Sequence, residues 1–245
     1  SLKYEIPLFT GNPRTKDYKK LINNTYIDVL LSINYLFLID LELINHPRRY
    51  AINIHGSLLP KYRGRTPHVW AVINNEEETG ITAHLIDSGC DTGPIIKQVR
   101  IPIDPNETGA DILKKYELKY PDFVNSILFD IQTENVNPIP QESNTGSFFG
   151  KRTPEDGKIN WNWQKERIHN WIRAQAHPYP GAFCFFKNNK ITIHKVSYSD
   201  LYFSFQQENG LVLETNPLTI KTPNGALQIW EYNHNANFLP KKGDI

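Results

Sequence analysis

Apolar runs of strand length recur through the first half of the chain. Ile27–Ile33, Tyr50–Ile54 and Gly80–Ile86 are mostly apolar over five to seven residues, as expected of strands covered on both faces. Segments with helical spacing or helix-start signals lie before and between them, at Thr15–Asn24, Leu38–Asn45 and from Pro67 onward. The pattern predicts a β-α-β-α-β unit with adjacent parallel strands.

Strand and helix signals continue past residue 90. Pro94–Ile103 predicts a further strand, and Thr108 can cap a helix that Pro121 should interrupt before it resumes as far as Gln132. Residues 135–147 are rich in Asn, Pro, Ser and Gly, which is typical of a linker. We therefore expect a first domain over 1–142, a linker and connecting helix over 143–180, and a small β domain over 181–245.

The last third of the chain changes to strand-like spacing. Asn162 can cap a helix over Gln164–Gln175. Five short strands should follow, at Ala182–Phe186, Lys190–Val196, Gly210–Thr215, Pro217–Thr222 and Ala226–Tyr232. Asn224-Gly225 predicts a two-residue type I′ hairpin turn, which would place Ile220 opposite Ile229 and Thr219 opposite Trp230.

Composition narrows the class of protein. The chain has 245 residues, of which 39% are hydrophobic and 22% charged, as in ordinary globular proteins. Its net charge of +1 gives no overall basic field that would attract nucleic acid. The two cysteines have no metal-like spacing and suit a reducing compartment, and no apolar run approaches the ~18 residues of a membrane span. These features predict a soluble cytoplasmic protein with neither a nucleic-acid nor a membrane partner.

Polar side chains follow two of the predicted strands. Asn53 and His55 are two residues apart and leave the same face of an extended strand, whereas Asp87 and Asp91 lie in a glycine-containing loop after Gly80–Ile86. If these strands are parallel neighbours, both loops open at one carboxyl edge and Asn53, His55 and Asp91 can converge. The alternatives are a polar strand end and a turn-forming Asp.

These side chains can stabilise a negatively charged oxygen and move a proton. An Asn amide and a His N–H can donate to an oxygen that gains negative charge, and His can also accept a proton near neutral pH. Asp91 would orient the imidazole. The sequence leaves open whether His55 acts as a base or as a hydrogen-bond donor.

Basic side chains occur at two places. Lys61, Arg63 and Arg65 lie on a loop with Gly and Pro, and Lys151 and Arg152 follow the linker. Guanidinium groups on such loops bind phosphate or carboxylate through paired hydrogen bonds, although a solvated basic loop is an equal alternative.

The runs NIHGSLLPKYRGRTP, TGITAHLIDSGCDTGPI and FGKRTPEDGKINW together resemble the folate-dependent formyltransferases, in particular the branch that acts on nucleotide-linked amino sugars. The resemblance implies an α/β fold, with a Rossmann-like catalytic domain followed by a small, mostly-β, OB-like domain. It also implies formyl transfer from N10-formyltetrahydrofolate, with Asn53, His55 and Asp91 as the catalytic residues. Because the first twenty residues lack the opening strand, Gly turn and helix usual in this family, we expect that strand to be missing.

The resemblance further implies binding residues. Leu85, Ile86, Asp87 and Asp91 correspond to the folate pocket. By the same resemblance Lys151 and Arg152 would face the nucleotide sugar. Their position and chemistry add Asn34 and Tyr35, just past a predicted strand, and Lys61, Arg63 and Arg65 to the expected acceptor-binding residues. We expect no metal, because DSGCDTG lacks the acidic density and the terminal Glu of a calcium loop.

The expected acceptor is a dTDP-linked 4-amino-4,6-dideoxyhexose, used for surface polysaccharide such as O-antigen. The alternatives are UDP-4-amino-4-deoxyarabinose, methionyl-tRNA, and an inactive module that binds folate or nucleotide sugar. From residue 151 onward the sequence has twelve Lys and Arg and eight acidic residues. This excess of basic residues is small for a surface that binds tRNA. A homodimer is expected because Trp230 and Tyr232 share a strand face that is opposite to Ile220 and Ile229.

Overall fold

The computed structural model describes residues 6, 8, 19–22, 26–35, 37–142, 144–234 and 240–245. The helices are α1 (Lys19–Ile22), α2 (Leu41–Ile44), α3 (Pro67–Ile73), α4 (Gly109–Gln132) and α5 (Lys165–Ala174), with a 3-10 helix at Pro154–Gly157. The strands of the first half are β1 (Val29–Ile33), β2 (Tyr50–His55), β3 (Arg63–Gly64), β4 (Glu78–Leu85), β5 (Ile95–Pro102) and β6 (Phe148–Phe149). Both ends of the predicted Thr15–Asn24 helix lie outside the described residues.

The first sheet differs from the prediction in the orientation of β4 relative to β2. Among the described residues the strand order is β1-β2-β4-β5, and β1 and β2 are parallel as expected. However, β4 runs antiparallel to β2, with Asn53 opposite His84, so the predicted parallel pairing is wrong. The seven residues of α3 span about 10 Å, whereas the six residues of β2 span about 20 Å. The helix is therefore too short to return the chain to the start of β2, and β4 runs back from its end.

The long helix α4 covers this sheet. Its start is fixed by a capping box, in which Thr108 Oγ1 accepts from the Asp111 N–H at 3.2 Å and the Asp111 carboxylate accepts from the Thr108 N–H at 2.9 Å. The predicted interruption at Pro121 does not occur, since the helix continues through it. Burial of Tyr116 and Ile127 on the helix face offsets the single hydrogen bond that proline removes.

The second half forms an antiparallel sheet after α5. Its strands are β7 (Ala182–Phe186), β8 (Asn189–Ser199), β9 (Val212–Thr215), β10 (Leu218–Thr222) and β11 (Gly225–Asn233). Within the described ranges the order is β7-β8-β11-β10-β9, which confirms a mostly-β second part. Asn162 does not cap α5: the N-cap is Gln164, and the Lys165 N–H donates instead to Asn224 Oδ1 at 2.8 Å.

The hairpin between β10 and β11 has a different register from the predicted one. Thr222 pairs with Gly225, which puts Ile220 opposite Leu227 and Thr219 opposite Gln228. The turn residues are therefore Pro223 and Asn224, not Asn224 and Gly225. Proline presets the backbone angle that the first central position of a type I turn requires.

The hydrophobic core is continuous between the two sheets. Buried Ile52 of β2, Ile172 of α5 and Leu227 of β11 belong to one cluster, and α3 packs against α5. Both cysteines, Cys90 and Cys184, are free thiols. None of the helices in the described ranges has the length and apolarity needed to cross a bilayer.

Candidate active site

Asn53, His55 and Asp91 meet above β2. Asn53 Nδ2 donates to Asp91 Oδ1 at 3.2 Å, and His55 Nδ1 lies 3.6 Å from the same oxygen. The side chain of His55 is 7% exposed and that of Asp91 is 13% exposed. The convergence expected from the sequence is therefore present, although the strand that leads to Asp91 runs the other way.

The loop after β4 reverses sharply to bring Asp91 back over the sheet. Asp91 has the left-handed φ of 56°, which Asp tolerates better than most residues. A Cβ on Gly93 would lie 1.8 Å from the Leu85 carbonyl oxygen, so only glycine permits the loop to return this closely. The Gly64 N–H of β3 then donates to Asp91 Oδ2 at 2.9 Å.

Gln141, in the segment 135–147 that is rich in Asn, Pro, Ser and Gly, holds this loop. Its Nε2 donates to the Asp91 and Gly93 carbonyls at 2.9 and 2.7 Å. Its Oε1 accepts from the Arg63 guanidinium at 2.7 Å. Nearby, Ile139 bridges to Ile95, so part of the linker is bound to the first sheet.

His84 was missed by the sequence analysis. It is buried on β4 directly opposite Asn53, and its Nε2 lies 3.1 Å from Asn53 Nδ2. Its Nδ1 lies 2.7 Å from the Leu85 carbonyl oxygen, so the neutral ring carries its proton there and accepts from Asn53 at Nε2. The available signal was a histidine inside an otherwise apolar strand run, GITAHLI, where a buried polar group needs a partner.

The surroundings of His55 favour its neutral form. Burial lowers its pKa below the ordinary value, and the charge of Asp91 and the hydrogen bond to the Tyr62 carbonyl only partly oppose this. Because Nε2 lies 2.8 Å from the Tyr62 carbonyl oxygen, the proton of the neutral ring is on Nε2. The lone pair of Nδ1 therefore faces Asp91.

Asp91 is ionised at neutral pH. Burial alone would raise its pKa, but interactions with the His84 and His55 rings that strengthen when these rings are protonated, together with the hydrogen bond from the Gly64 N–H, hold the pKa well below its usual range. The site thus pairs a neutral imidazole with a buried carboxylate. This combination can accept a proton on the ring and stabilise the resulting cation.

The residues expected to bind folate lie at the end of β4 and on the loop that carries Asp91. Asp87 is exposed, and its carboxylate accepts from the Gly89 N–H at 3.0 Å and from Thr92 Oγ1 at 2.7 Å. The N–H groups of Leu85 and Ile86 donate to the carbonyls of Pro94 and Ala51, both at 2.9 Å. An exposed carboxylate beside half-buried apolar side chains fits the amino groups and flat ring of a pterin.

The residues expected to bind the acceptor lie in several places. On the loop after β2, Lys61 is exposed, Arg63 is bonded to Gln141 and Arg65 is half-buried. Exposed Asn34 has a φ of 53° just beyond β1, and its Oδ1 accepts from the Tyr120 hydroxyl at 3.3 Å.

The remaining expected contacts lie elsewhere. Half-buried Tyr35 packs edge-on against Phe37. Lys151 is exposed, whereas the Arg152 guanidinium lies between Trp70 and Trp171, 5.4 and 4.9 Å from their ring centres, and donates to Gln175. In the described ranges no group of three His, Cys, Asp or Glu side chains is arranged to hold a metal.

Comparison with known proteins defines the class. Residues 9–123 match the family described as Formyl transferase, and residues 151–237 match its C-terminal domain. The chain belongs to the formyl transferase family, with a Rossmann-like N-terminal domain and a mostly-β C-terminal domain.

Particular relatives are similar to different extents. Over 254 residues the chain is 35% identical to the bifunctional polymyxin resistance protein ArnA of Wigglesworthia glossinidia brevipalpis; the match covers 99% of this chain but only 37% of that protein's length. The solved sugar 3N-formyltransferase WlaRD, in the presence of dTDP and 5-N-formyl-THF, is 28% identical, covers 82% of this chain and 71% of that chain, and has a TM-score of 0.60. A 4-N formyltransferase from Francisella tularensis is 25% identical over 74% of each chain, with a TM-score of 0.64.

Proposed function

We propose that the chain transfers a formyl group from N10-formyltetrahydrofolate to the 4-amino group of a dTDP-linked 4-amino-4,6-dideoxyhexose, for surface polysaccharide such as O-antigen, in the cytoplasm. The observation that carries the proposal is the contact of Asn53 and His55, on β2, with Asp91, on the loop after β4, since these are the residues to which the family resemblance assigns catalysis. Domain boundaries at 142 and 180 are part of the same proposal.

The folate supplies the activated formyl group. The amine nitrogen forms a bond to the formyl carbon and loses a proton, while the bond from that carbon to N10 breaks. N10 takes up a proton in exchange, so that tetrahydrofolate leaves and the proton count balances. His55 is the proposed base, since its ring is neutral and its Nδ1 carries the free lone pair. Asp91, 3.6 Å away, stabilises the imidazolium that forms.

Asn53 is the proposed donor to the formyl oxygen as that atom gains negative charge. The two amide protons of Asn53 are directed to Asp91 and His84. A hydrogen bond to an ionised group is worth about 1.5–3 kcal/mol and a neutral one about 0.5–1.5 kcal/mol. The proton shared with His84 is therefore the one that the formyl oxygen takes, and His84 holds the amide in place until then.

The choice of acceptor has support from two directions. The sugar formyltransferases WlaRD and the Francisella protein share 25–28% identity with the chain, and WlaRD was solved with dTDP. The basic residues Lys61 and Arg65 on the loop beside Asp91 suit a diphosphate. A UDP-linked 4-amino-4-deoxyarabinose is a second candidate, because the identity to ArnA, at 35%, exceeds that to both sugar formyltransferases.

A single assay separates these acceptors. Purified protein with N10-formyltetrahydrofolate is offered the dTDP-linked 4-amino sugar, the UDP-linked 4-amino pentose and methionyl-tRNA at equal concentration. We expect rapid formylation of the dTDP sugar and none of the tRNA. A preference for the UDP pentose would overturn the acceptor but not the chemistry, whereas no formylation of any amine would overturn both.

A further inference from the structure

A groove of about 830 Å³ lies between α5, β8, β11 and the loop before α4. This loop follows the end of β5, where Pro102 pairs with Glu78 at the start of β4. The proposed catalytic site is at the other end of β4, around His84. The groove is therefore separate from the formyl-transfer site.

The groove has more basic than acidic side chains. Its basic lining residues are His169, His177, His194, Arg173 and Lys195. Glu231 is the single carboxylate among its lining residues, and it already lies 3.7 Å from Lys195. A ligand that accepts hydrogen bonds and carries negative charge fits this excess.

Arg173 is the most constrained of these donors. It is 7% exposed, and its guanidinium donates to Asn170 Oδ1 at 2.8 Å and to the Glu107 carbonyl at 2.6 Å. Among the described residues no carboxylate forms an ion pair with it. Because its hydrogen-bond acceptors are neutral, the positive charge of this buried guanidinium is not balanced by a paired carboxylate and can attract an anionic ligand.

One wall of the groove is flat and apolar. Trp230 is 54% exposed, and its Nε1 donates to Ser197 Oγ at 2.8 Å, which fixes the orientation of the indole. Ile172 and Val196 also line the groove. A fixed, exposed indole beside cationic groups can stack a planar ring whose phosphate reaches Arg173 and Lys195.

We propose that this groove binds a phosphorylated ligand with a planar aromatic group, of the nucleoside monophosphate class, with the base on Trp230 and the phosphate at Arg173 and Lys195. The proposal does not depend on the formyl-transfer reaction, and it concerns a surface that the acceptor and the folate do not use. It assigns the Trp230 ring to a ligand, so the homodimer expected from the sequence has to form without that side chain.

Adenosine 5′-monophosphate is a suitable probe, because it differs from the acceptor nucleotides of the proposed reaction. The full chain is labelled with ¹⁵N, and the indole N–H resonance of Trp230 is assigned with Trp230→Phe. We expect a saturable shift of this resonance with the monophosphate, and at least about tenfold weaker binding of adenosine and of inorganic phosphate, since each offers half of the contacts.

Matched variants test the location. Lys195 and Lys187 are each 65% exposed and each lies in one surface ion pair, with Glu231 and Asp244. Lys195→Glu should weaken binding about tenfold, and Lys187→Glu should leave it within about twofold. Trp230→Ala, monitored by calorimetry, should weaken binding more than Phe185→Ala, whose ring is equally exposed at 56%.

Three results would overturn the proposal. The first is no saturable shift of the Trp230 indole at ligand concentrations of about 10 mM. The second is equal weakening by the two lysine variants, which would mean nonspecific attraction by surface charge. The third is adenosine binding as tightly as its monophosphate, which would exclude the phosphate from recognition.

Discussion

Replacing Asp91 with Asn tests the electrostatic core of the site. The side chain keeps its size, and Asn tolerates the left-handed backbone at this position as well as Asp does. What is lost is the negative charge 3.6 Å from His55 Nδ1. Unit charges at that separation attract by about 1 kcal/mol in water and by about 5 kcal/mol at an effective dielectric constant of about 20. Because Asp91 is only 13% exposed, the larger value is the better guide, and we expect kcat to fall about 10²–10³-fold.

Asp87→Asn on the same loop is the control. It makes the same chemical change four residues away, on an exposed carboxylate that contacts Gly89 and Thr92 rather than His55. Steady-state kinetics should show a loss of kcat for Asp91→Asn with nearly constant KM for the folate, and a raised KM with nearly constant kcat for Asp87→Asn. If Asp91→Asn instead raises KM for the folate and spares kcat, Asp91 binds folate and does not assist proton transfer.

Four further outcomes are expected. His55→Ala should fold but lose about 10²–10⁴ in rate, and a variant that retains more than about a tenth of wild-type turnover would contradict a direct chemical role. Gln141→Ala removes two hydrogen bonds to the loop that carries Asp91 and should lower kcat about fivefold to a hundredfold. Glu142→Ala, at the next residue, should leave kcat unchanged. Equal kcat values for the two variants would refute the proposed support of the loop by Gln141. Burial lowers the pKa of His68 from 6.5 to about 4, so the contribution of this residue to the free energy of unfolding should be complete above pH 6.5 and should decrease by about 3 kcal/mol towards pH 4. Urea titrations in which His68→Gln shows the same dependence of unfolding free energy on pH would contradict this. Light scattering should show a homodimer, and a monomer at micromolar concentration would remove that proposal.

The types of element were predictable because burial imposes a simple pattern. Apolar runs such as those at β1 and β2 favour strands that are at least partly buried, and the structure contains both strands. The directions of strands and the registers between them depend on the lengths of the connecting segments and on which residues form the turns. The antiparallel β4 follows from the short length of α3, and the β10–β11 register follows from competition between Pro223-Asn224 and Asn224-Gly225 for the turn.

The site was predictable where neighbouring residues determine it. Asn53 and His55 share a face because strand geometry has a period of two. His84 and Gln141 reach the site from another strand and from the linker, and such contacts exist only after the chain has folded. Their sequence neighbourhoods carry a weak signal at most.

The convergence of Asp91 with Asn53 survives a wrong premise about strand direction, and the reason is geometric. In a parallel pair, both loops would leave the sheet at one edge. Here β4 ends beside the start of β2, and Leu85 pairs with Ile52, so a loop that simply continued would carry Asp91 away from His55. The close approach of Gly93 to Leu85 reverses the loop at once, and the Gly64 N–H binds the carboxylate from the other side. The position of Asp91 is thus set by contacts on both of its flanks rather than by the sheet, which makes the loop between β4 and β5 the part of the fold on which the proposed chemistry most depends.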